Sequence, residues 1–537
     1  MEERLALHRS CVNALVFMVS RLSKPIPKGL LAVALLIGLA VLLPMLYLVL
    51  RAAQAEPSQL AEIVLRPRNL YLLGNTLALL AGVIVLSTLL ALPLAWITSR
   101  TNLRGKRLWT VLLVLPLAVP GYVGVFGFFG ATGSGGWLEM LLGFPWPRPT
   151  GYLGALGVLT LFTYPYLFLN LRAALLGLDS SLEESARSLG YRGFEVFLRV
   201  VLPQLRPALY AGWLLIGLHV LGDFGVVSLV RYETFSYAIY LQYAASFDRV
   251  YAAWLSLMLI LLTGSLLWLE ARLLKNLTLS RVGLGSARRP SPVPLGAWSL
   301  PAYALMVLLV VGALLVPLTS IVYWLNQPAY PLELSSIKEA LQNSAQAAAP
   351  AALLAALLAL PLAYLGVRYP SSLSRLLERA AYLGYATPPL AFALALIFFS
   401  LRALPFLYQS LALLVLAYAL HFLAEAIGPI RSALYQAPPR LEEAARSLGY
   451  RPLQAFLKAT FPLLRRGILA SMALVFLSAV KELPLTFLLA PAGYSTLSTR
   501  IWGYTAEAMF AEAAPYALLI VLFSAGLVGL LLTQERR

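Results

Sequence analysis

The sequence predicts an all-α integral membrane protein of about twelve transmembrane helices, arranged as two parallel repeats of six. Three observations lead to this prediction. The 537 residues are 60% hydrophobic and 12% charged, with a mean hydropathy of +0.80, which is too apolar for the cores of a soluble protein. Long apolar runs recur along the chain. A charged decapeptide, LEESARSLGY from Leu182, returns at Leu441 as LEEAARSLGY.

The apolar runs define the predicted membrane spans. Each is about 20 residues long, which is enough to cross the hydrocarbon layer of a bilayer. The runs begin near residues 30, 72, 109, 152, 208, 251, 300, 343, 379, 408, 468 and 514. An even number of spans places both ends of the chain on the same side of the membrane.

The distribution of basic residues indicates which side that is. The chain has a net charge of +18, and with the N-terminus inside, 28 Lys and Arg fall in cytoplasmic tails and loops while nine fall outside. Cytoplasmic loops of membrane proteins are enriched in Lys and Arg. Both termini are therefore predicted to be cytoplasmic. The basic excess reflects this topology, and no nucleic-acid partner is expected.

The two halves of the sequence are copies of one unit. From Leu182 and Leu441, 15 of 28 aligned positions are identical, and LALPLAW at Leu90 matches LALPLAY at Leu358. Six spans per half give both halves the same orientation. The predicted divisions are a cytoplasmic N-terminal extension (1–28), a first half (29–279), a cytoplasmic linker (280–299) and a second half (300–537). Duplication alone also fits a secondary transporter driven by an ion gradient.

The repeated decapeptide lies in two cytoplasmic loops of about 30 residues. Glutamates in its first turn suit the helix dipole, and Gly190 and Gly449 are placed to end the helix. One interpretation is an amphipathic helix on the membrane surface. Because the order of charges is kept in both copies, we favour a docking helix that meets two equivalent partner surfaces.

These residues resemble the cytoplasmic loop of ABC-importer permeases. The resemblance rests on Glu443-Ala444-Ala445, Gly449 and Phe461-Pro462, and on Glu184-Ser185-Ala186, Gly190 and Leu202-Pro203. It implies a type I ABC importer permease fold, in which this loop forms a coupling helix that sits in a groove of the ATP-binding subunit. The coupling residues that it implies are Glu183, Glu184, Ala186, Arg187, Gly190, Pro203, Glu442, Glu443, Ala445, Arg446, Gly449 and Pro462.

The resemblance also implies the partners. The sequence has no G-x-x-x-x-G-K-[ST] phosphate loop, so ATP and Mg²⁺ are expected on a separate cytoplasmic ABC ATPase homodimer and no cofactor on this chain. An extracytoplasmic substrate-binding protein would deliver the substrate, and the lipid bilayer of a bacterial inner membrane would surround the chain. No motif indicates a catalytic residue, so a transport subunit and not an enzyme is expected. The single cysteine, Cys11, excludes a cysteine metal cluster.

The fused twelve-span form is similar to the permeases of ferric-iron and of thiamine importers. The segments around DFGVV at Asp223 and KELPLTFLL at Lys481 look most like the ferric-iron group, which implies ferric iron as substrate. A thiamine or other small-solute ABC permease is the alternative, and an ion-coupled secondary transporter is a more distant one. A non-transporting scaffold is disfavoured by the acids within the spans.

Four ionisable residues fall inside predicted spans, where such groups are usually functional. Asp223 and Glu482 occupy equivalent positions and are candidates for the translocation pathway, since carboxylate oxygens suit ferric iron. Pairing of Glu482 with Lys481 is the alternative. His421 and Glu425, four residues apart, share a helix face, and a structural hydrogen bond between helices is the favoured interpretation. The sequence leaves any metal ligands unknown.

Overall fold

The computed structural model describes residues 26–54, 62, 66–178, 181–245, 248–275, 292–328 and 333–534. Most of the predicted N-terminal extension (1–28) and linker (280–299) lies outside these ranges. Within them the chain is helical, and the β-type pairing is a single bridge between Thr101 and Val293. The predicted all-α fold is confirmed.

The described part of the chain forms 25 α-helices. The first twelve are α1 (Lys28–Ala52), α2 (Pro67–Arg100), α3 (Lys106–Val114), α4 (Gly121–Ala131), α5 (Trp137–Leu142), α6 (Gly151–Gly177), α7 (Ser181–Ser188), α8 (Gly193–Val196), α9 (Leu202–Gly222), α10 (Gly225–Leu229), α11 (Phe235–Tyr240) and α12 (Arg249–Lys275). The others are α13 (Ser299–Val310), α14 (Val316–Leu325), α15 (Leu334–Arg368), α16 (Ser372–Ala386), α17 (Pro389–Ala403), α18 (Leu411–His421), α19 (Leu423–Gln436), α20 (Pro439–Ser447), α21 (Pro452–Ala455), α22 (Phe461–Lys481), α23 (Pro484–Leu489), α24 (Leu497–Ala506) and α25 (Phe510–Gln534).

The predicted spans coincide with these helices. Within the part of the chain that the structure describes, eight continuous stretches are long and apolar enough to cross a membrane, and three bent helix pairs raise the number to eleven. The twelfth run corresponds to α25, whose apolar stretch, Phe510–Gly526, is shorter. Two of the bent pairs occupy equivalent places in the two halves: α3 and α4 meet at 96°, and α16 and α17 at 107°.

Proline causes the two sharp bends. Pro120 precedes α4, and Pro388 and Pro389 stand where α16 gives way to α17. Proline has no N–H to continue the helical ladder, and it disfavours helical geometry in the residue before it. Each bend therefore leaves a stretch of non-helical backbone inside an apolar span. Such stretches at membrane depth are tolerated where they are buried in protein or line a cavity.

The chain divides into two compact units that cut across the sequence halves. Of the described residues, the smaller unit contains those within 26–50 and 342–494, and the larger unit contains those within 51–341 and 495–534. In the smaller unit, α1 packs on helices of the second half, with Tyr47 against Phe399 at a ring distance of 5.4 Å. The predicted boundaries of the halves therefore describe the sequence repeat, and they stay a prediction.

The larger unit contains the first helices of the second half. The Ser320 hydroxyl on α14 donates a hydrogen bond to the Gly127 carbonyl at 2.6 Å, and the Trp324 indole donates to the Gly130 carbonyl at 2.8 Å. A Cβ added to Gly127 would lie 2.6 Å from the Cα of Pro317. Glycine at this position therefore allows α4 and α14 to approach closely.

Candidate functional site: coupling loops and intramembrane acids

Each repeated decapeptide forms a short helix, α7 or α20, that ends at a glycine in the left-handed region. The φ angles are +91° at Gly190 and +89° at Gly449. After each glycine a tyrosine N–H closes the helix end, Tyr191 onto the Ala186 carbonyl at 3.2 Å and Tyr450 onto the Ala445 carbonyl at 3.3 Å. This arrangement satisfies helix carbonyls that would otherwise lack a partner.

The second arm of each loop is also built twice. The backbone N–H of Arg192 donates to the Glu195 carboxylate at 2.9 Å, and that of Arg451 donates to the Gln454 amide oxygen at 3.1 Å. These contacts begin α8 and α21, and a π-helical turn follows in each half, at Phe197–Val201 and at Phe456–Thr460.

The predicted prolines stand directly after the π-helical turns. Pro203 is the second residue of α9, and Pro462 is the second residue of α22. Proline lacks an N–H, and its ring crowds the carbonyl four residues earlier in a regular helix. The wider π-helical turn accommodates this crowding, so the chain passes from loop to membrane span without a break.

Aromatic contacts join the two arms of each loop. The Arg199 guanidinium lies 5.2 Å from the centre of the Tyr191 ring, and Lys458 Nζ lies 4.3 Å from that of Tyr450. Edge-to-face pairs then connect the loops to the long helices, with the same ring distance of 5.3 Å and angle of 85° in Trp96–Phe197 and Tyr364–Phe456. These aromatic contacts are thus equivalent in the two loops.

The two glutamates at the start of each coupling helix point in different directions. Glu183 and Glu442 are buried, whereas Glu184 and Glu443 are exposed. The exposed side also carries Arg187 and Arg446, while Ala186 is buried and Ala445 is half-buried. The resemblance implies one coupling role for all of these residues, and the structure divides them into an inward and an outward set.

Large exposed apolar side chains flank the exposed glutamates in the sequence. We call the two sets the docking faces: Leu182, Leu189 and Phe194 in the first half, and Leu441, Leu448 and Leu453 in the second. Leu189 and Leu448 are each 79% exposed, and the other four also lie open. Sequence reasoning missed these residues, although the signal was available, since apolar residues recur at the same offsets from Gly190 and Gly449.

Asp223 and Glu482 each stand at a break in a membrane helix. Asp223 Oδ1 accepts hydrogen bonds from the N–H groups of Val226 and Val227, at 3.0 and 3.2 Å. Glu482 Oε1 accepts from the N–H of Leu485 at 3.1 Å. Each carboxylate therefore caps a short helix, α10 or α23, and stabilises its positive end. Both side chains are half-buried.

Aromatic and hydroxyl groups lie around the two acids. Next to Asp223, the Phe224 ring contacts Tyr240 at 5.0 Å and Trp502 at 5.6 Å. In the other half, the Thr486 hydroxyl donates to the Glu482 carbonyl at 2.7 Å and also hydrogen-bonds Tyr418. The two acids thus share their backbone geometry but have different side-chain surroundings.

His421 and Glu425 do not share one continuous helix. The chain bends by 53° between α18, which ends at His421, and α19. His421 Nδ1 lies 3.1 Å from the Gly384 carbonyl on α16, whereas Glu425 accepts a hydrogen bond from the Ser478 hydroxyl at 2.8 Å. Lys481 lies close enough to Glu425 to interact with its charge. The structure therefore connects these two residues to different helices.

No group of three or more His, Cys, Asp and Glu side chains in the described ranges is placed to hold a metal ion.

Comparison with known proteins places these features in a family. Residues 87–278 and 348–536 each match the model of the binding-protein-dependent transport system inner membrane component. The chain belongs to this family. Each match contains one coupling loop and one of the two intramembrane acids, so this permease carries two fused copies of the family unit.

Relatives of this permease include named transport systems. It is 34% identical over 505 residues to the Fe(3+)-transport system permease protein FbpB 2 of Haemophilus influenzae, which covers 93% of this chain and 96% of the relative. It is 30% identical over 235 residues to the sulfate transport system permease protein CysW of Escherichia coli, covering 41% of this chain and 79% of the relative.

Membership of this family makes the chain a multi-pass inner-membrane transport permease of an ABC importer and not an enzyme. Such systems work with a substrate-binding protein and an ATPase, as the resemblance of the coupling loops implied.

Proposed function

We propose that this permease imports ferric iron. The observation that carries the proposal is the similarity to an Fe(3+)-transport permease along 93% of the chain. The sulfate permease CysW matches 41% of the chain, so the similarity to it extends over less than half of the fused molecule. Carboxylate oxygens at Asp223 and Glu482 are hard ligands that suit ferric iron.

The coupling loops support an ATPase homodimer as the motor. The two docking faces share two exposed leucines, with Phe194 in the first face where Leu453 stands in the second, and each lies beside an exposed glutamate in the sequence, so two identical grooves would accept them. Apolar side chains that are buried on docking supply affinity, and exposed charges next to them supply orientation. With the loops in the cytoplasm, both termini are cytoplasmic, and a substrate-binding protein delivers iron to the opposite face.

The intramembrane acids, one in each half, support a role in the translocation pathway. Asp223 and Glu482 stand at helix breaks, where transporters build substrate sites from backbone and side-chain groups. Closure of the ATPase dimer would move α7 and α20 and rock the halves between outward and inward access.

The test is uptake of radiolabelled ferric iron into proteoliposomes that contain the permease, its ATPase and its binding protein. We expect accumulation that requires ATP and the binding protein, with sulfate and thiamine as comparison substrates. Uptake of either of these in place of iron would contradict the proposed substrate. Uptake driven by an ion gradient without ATP would contradict the mechanism.

The double variant Asp223→Asn with Glu482→Gln tests the pathway in the same assay. An amide oxygen accepts the N–H groups of α10 and α23 as a carboxylate does, so the caps are kept while both charges are removed. We expect uptake to fall by about tenfold or more while the ATPase still co-purifies. Unchanged uptake would return the two acids to a capping role.

A further inference from the structure

The long helices α2 and α15 are tied at one end to the coupling helices. Arg100, the last residue of α2, forms an ion pair with Glu183 on α7, with 3.2 Å between Nη2 and Oε1. Both side chains are buried, with 3% and 7% of their surface exposed. A buried guanidinium of this kind requires a compensating charge close by, and Glu183 supplies it.

In the second half, neutral hydroxyl donors bind the corresponding glutamate. Glu442 on α20 accepts hydrogen bonds from the hydroxyls of Tyr364 and Thr460, both at 2.6 Å. Arg368, which corresponds to Arg100, donates to the Ala437 carbonyl just before α20, at 2.8 Å. The tie therefore exists in both halves, but its chemistry differs.

At the other end, the same long helices hold the loops that follow the intramembrane acids. The Tyr232 hydroxyl donates to the Asn75 carbonyl on α2 at 3.2 Å, and Asn75 Nδ2 donates back to the Glu233 carbonyl at 2.9 Å. In the second half the Tyr494 hydroxyl donates to the Asn343 carbonyl on α15 at 2.6 Å. Burial raises the pKa of Tyr494 to about 12, which keeps this donor protonated.

We propose that α2 and α15 are the rods that transmit motion from the coupling helices to the loops behind Asp223 and Glu482. We call the tie to the coupling helix the inner tie and the tie to the loop the outer tie. At 1.5 Å per residue, Asn75 lies about 37 Å along the helix from Arg100, and Asn343 lies about 32 Å from Tyr364 and about 37 Å from Arg368. Glu183 and Glu442 are then positioning residues, since burial keeps them from contacting the ATPase. The inference rests on the proposed coupling role of α7 and α20.

The difference in chemistry makes the two inner ties unequal. Replacing Glu183 with Gln leaves the Arg100 charge buried without a counter-charge, which is strongly unfavourable. Replacing Glu442 with Gln keeps an acceptor for the Tyr364 and Thr460 hydroxyls, which carry no charge. The same chemical change should therefore impair the first half far more than the second.

The test compares Glu183→Gln, Glu442→Gln and the double variant Arg100→Gln with Glu183→Gln in the full complex. We expect Glu183→Gln to reduce both binding-protein-stimulated ATP hydrolysis and uptake by about tenfold or more, and Glu442→Gln to stay within about threefold of the unmodified protein. The double variant, which leaves no buried charge, should recover most of the loss. Membrane insertion and co-purification of the ATPase are measured for each variant.

Three results would contradict the proposed role of the inner ties. Equal effects of Glu183→Gln and Glu442→Gln would show that the ion pair has no special role. Loss of ATPase co-purification in inserted Glu183→Gln would make Glu183 a docking residue. A double variant no better than Glu183→Gln would show that charge compensation is not what matters.

The outer ties are tested by Tyr232→Phe and Tyr494→Phe, with Tyr71→Phe as control because Tyr71 is exposed on the same end of α2. We expect lower uptake per ATP hydrolysed in the first two and no change in the control. If the two variants take up as much substrate per ATP hydrolysed as the control does, the proposed role of α2 and α15 would be overturned. If the unmodified complex does not import iron, only the proposed substrate is contradicted. Binding-protein-stimulated ATP hydrolysis still measures the effect of the ties, whatever the substrate is.

Discussion

The two halves place different residue types at an equivalent position of the same turn. Arg231 and Gly493 each precede the tyrosine of an outer tie, and both have positive φ, +57° and +79°. Glycine adopts this conformation without a steric penalty, whereas a side chain there costs roughly 1 to 2 kcal/mol. The first half therefore carries strain that the second half avoids.

Glycine at position 231 should relieve that strain. We expect Arg231→Gly to be about 1 kcal/mol more stable to unfolding than Arg231→Ala, because alanine keeps the Cβ that causes the penalty. Unfolding of the two variants in the same detergent measures the difference. The reciprocal change, Gly493→Ala, should destabilise. An alanine variant at 231 as stable as the glycine variant would show that the turn is unstrained.

At this scale the sequence could locate residues but not their contacts. Glu183 and Glu184 are neighbours in one motif, and the resemblance gave them one role. A helix turns about 100° per residue, which sends one carboxylate inward and the other outward. The inward partners, Arg100 and Tyr364, lie about 80 residues upstream, and no local pattern in the sequence indicates these pairings.

At the scale of the element, the coupling helix is defined by its end. Gly190 and Gly449 have no atom within 4 Å of an added Cβ, so space does not require glycine there. The left-handed φ angle at both positions is what requires glycine. The sequence predicted glycine caps correctly because their backbone requirement is local, whereas the π-helical turns that follow were not predicted.

Valine at both glycines should break the coupling loops. A β-branched residue is a genuine outlier at positive φ, so Gly190→Val with Gly449→Val should turn the second arm of each loop away from the helix. We expect ATP-dependent uptake to be lost while the protein still inserts. Asparagine, which tolerates this conformation, is the matched control. Uptake that survives the double valine change would contradict the coupling assignment.

At the scale of the molecule, hydropathy predicted the spans but not their neighbours. Apolar runs set the length of each helix, and proline set the bends. The choice of packing partners depends on side-chain shape along whole helix faces. Hydropathy carries no information about that shape. The sequence repeat indicates two halves along the chain, and it does not indicate the compact units, which combine helices from both halves.

The orientation of the whole chain can be tested with its own cysteine. Cys11 is the only cysteine, so a membrane-impermeant maleimide should leave it unlabelled in intact spheroplasts and label it after lysis. A cysteine at Ser185 in a Cys11→Ser background should behave in the same way, since both positions are expected in the cytoplasm. Labelling of either site in intact spheroplasts would invert the topology.

The placement of α1 has a consequence for the order of events during synthesis. Its packing partners in the smaller unit begin at Gln342, roughly 290 residues after α1 ends. Chains grow at about 5 to 20 residues per second, so α1 waits on the order of 15 to 60 seconds before the rest of the smaller unit begins to be made. During that time lipid or an insertion chaperone must cover the face of α1 that carries Tyr47. Residues 342–494, which are translated long after α1, thus decide when this helix reaches its final place.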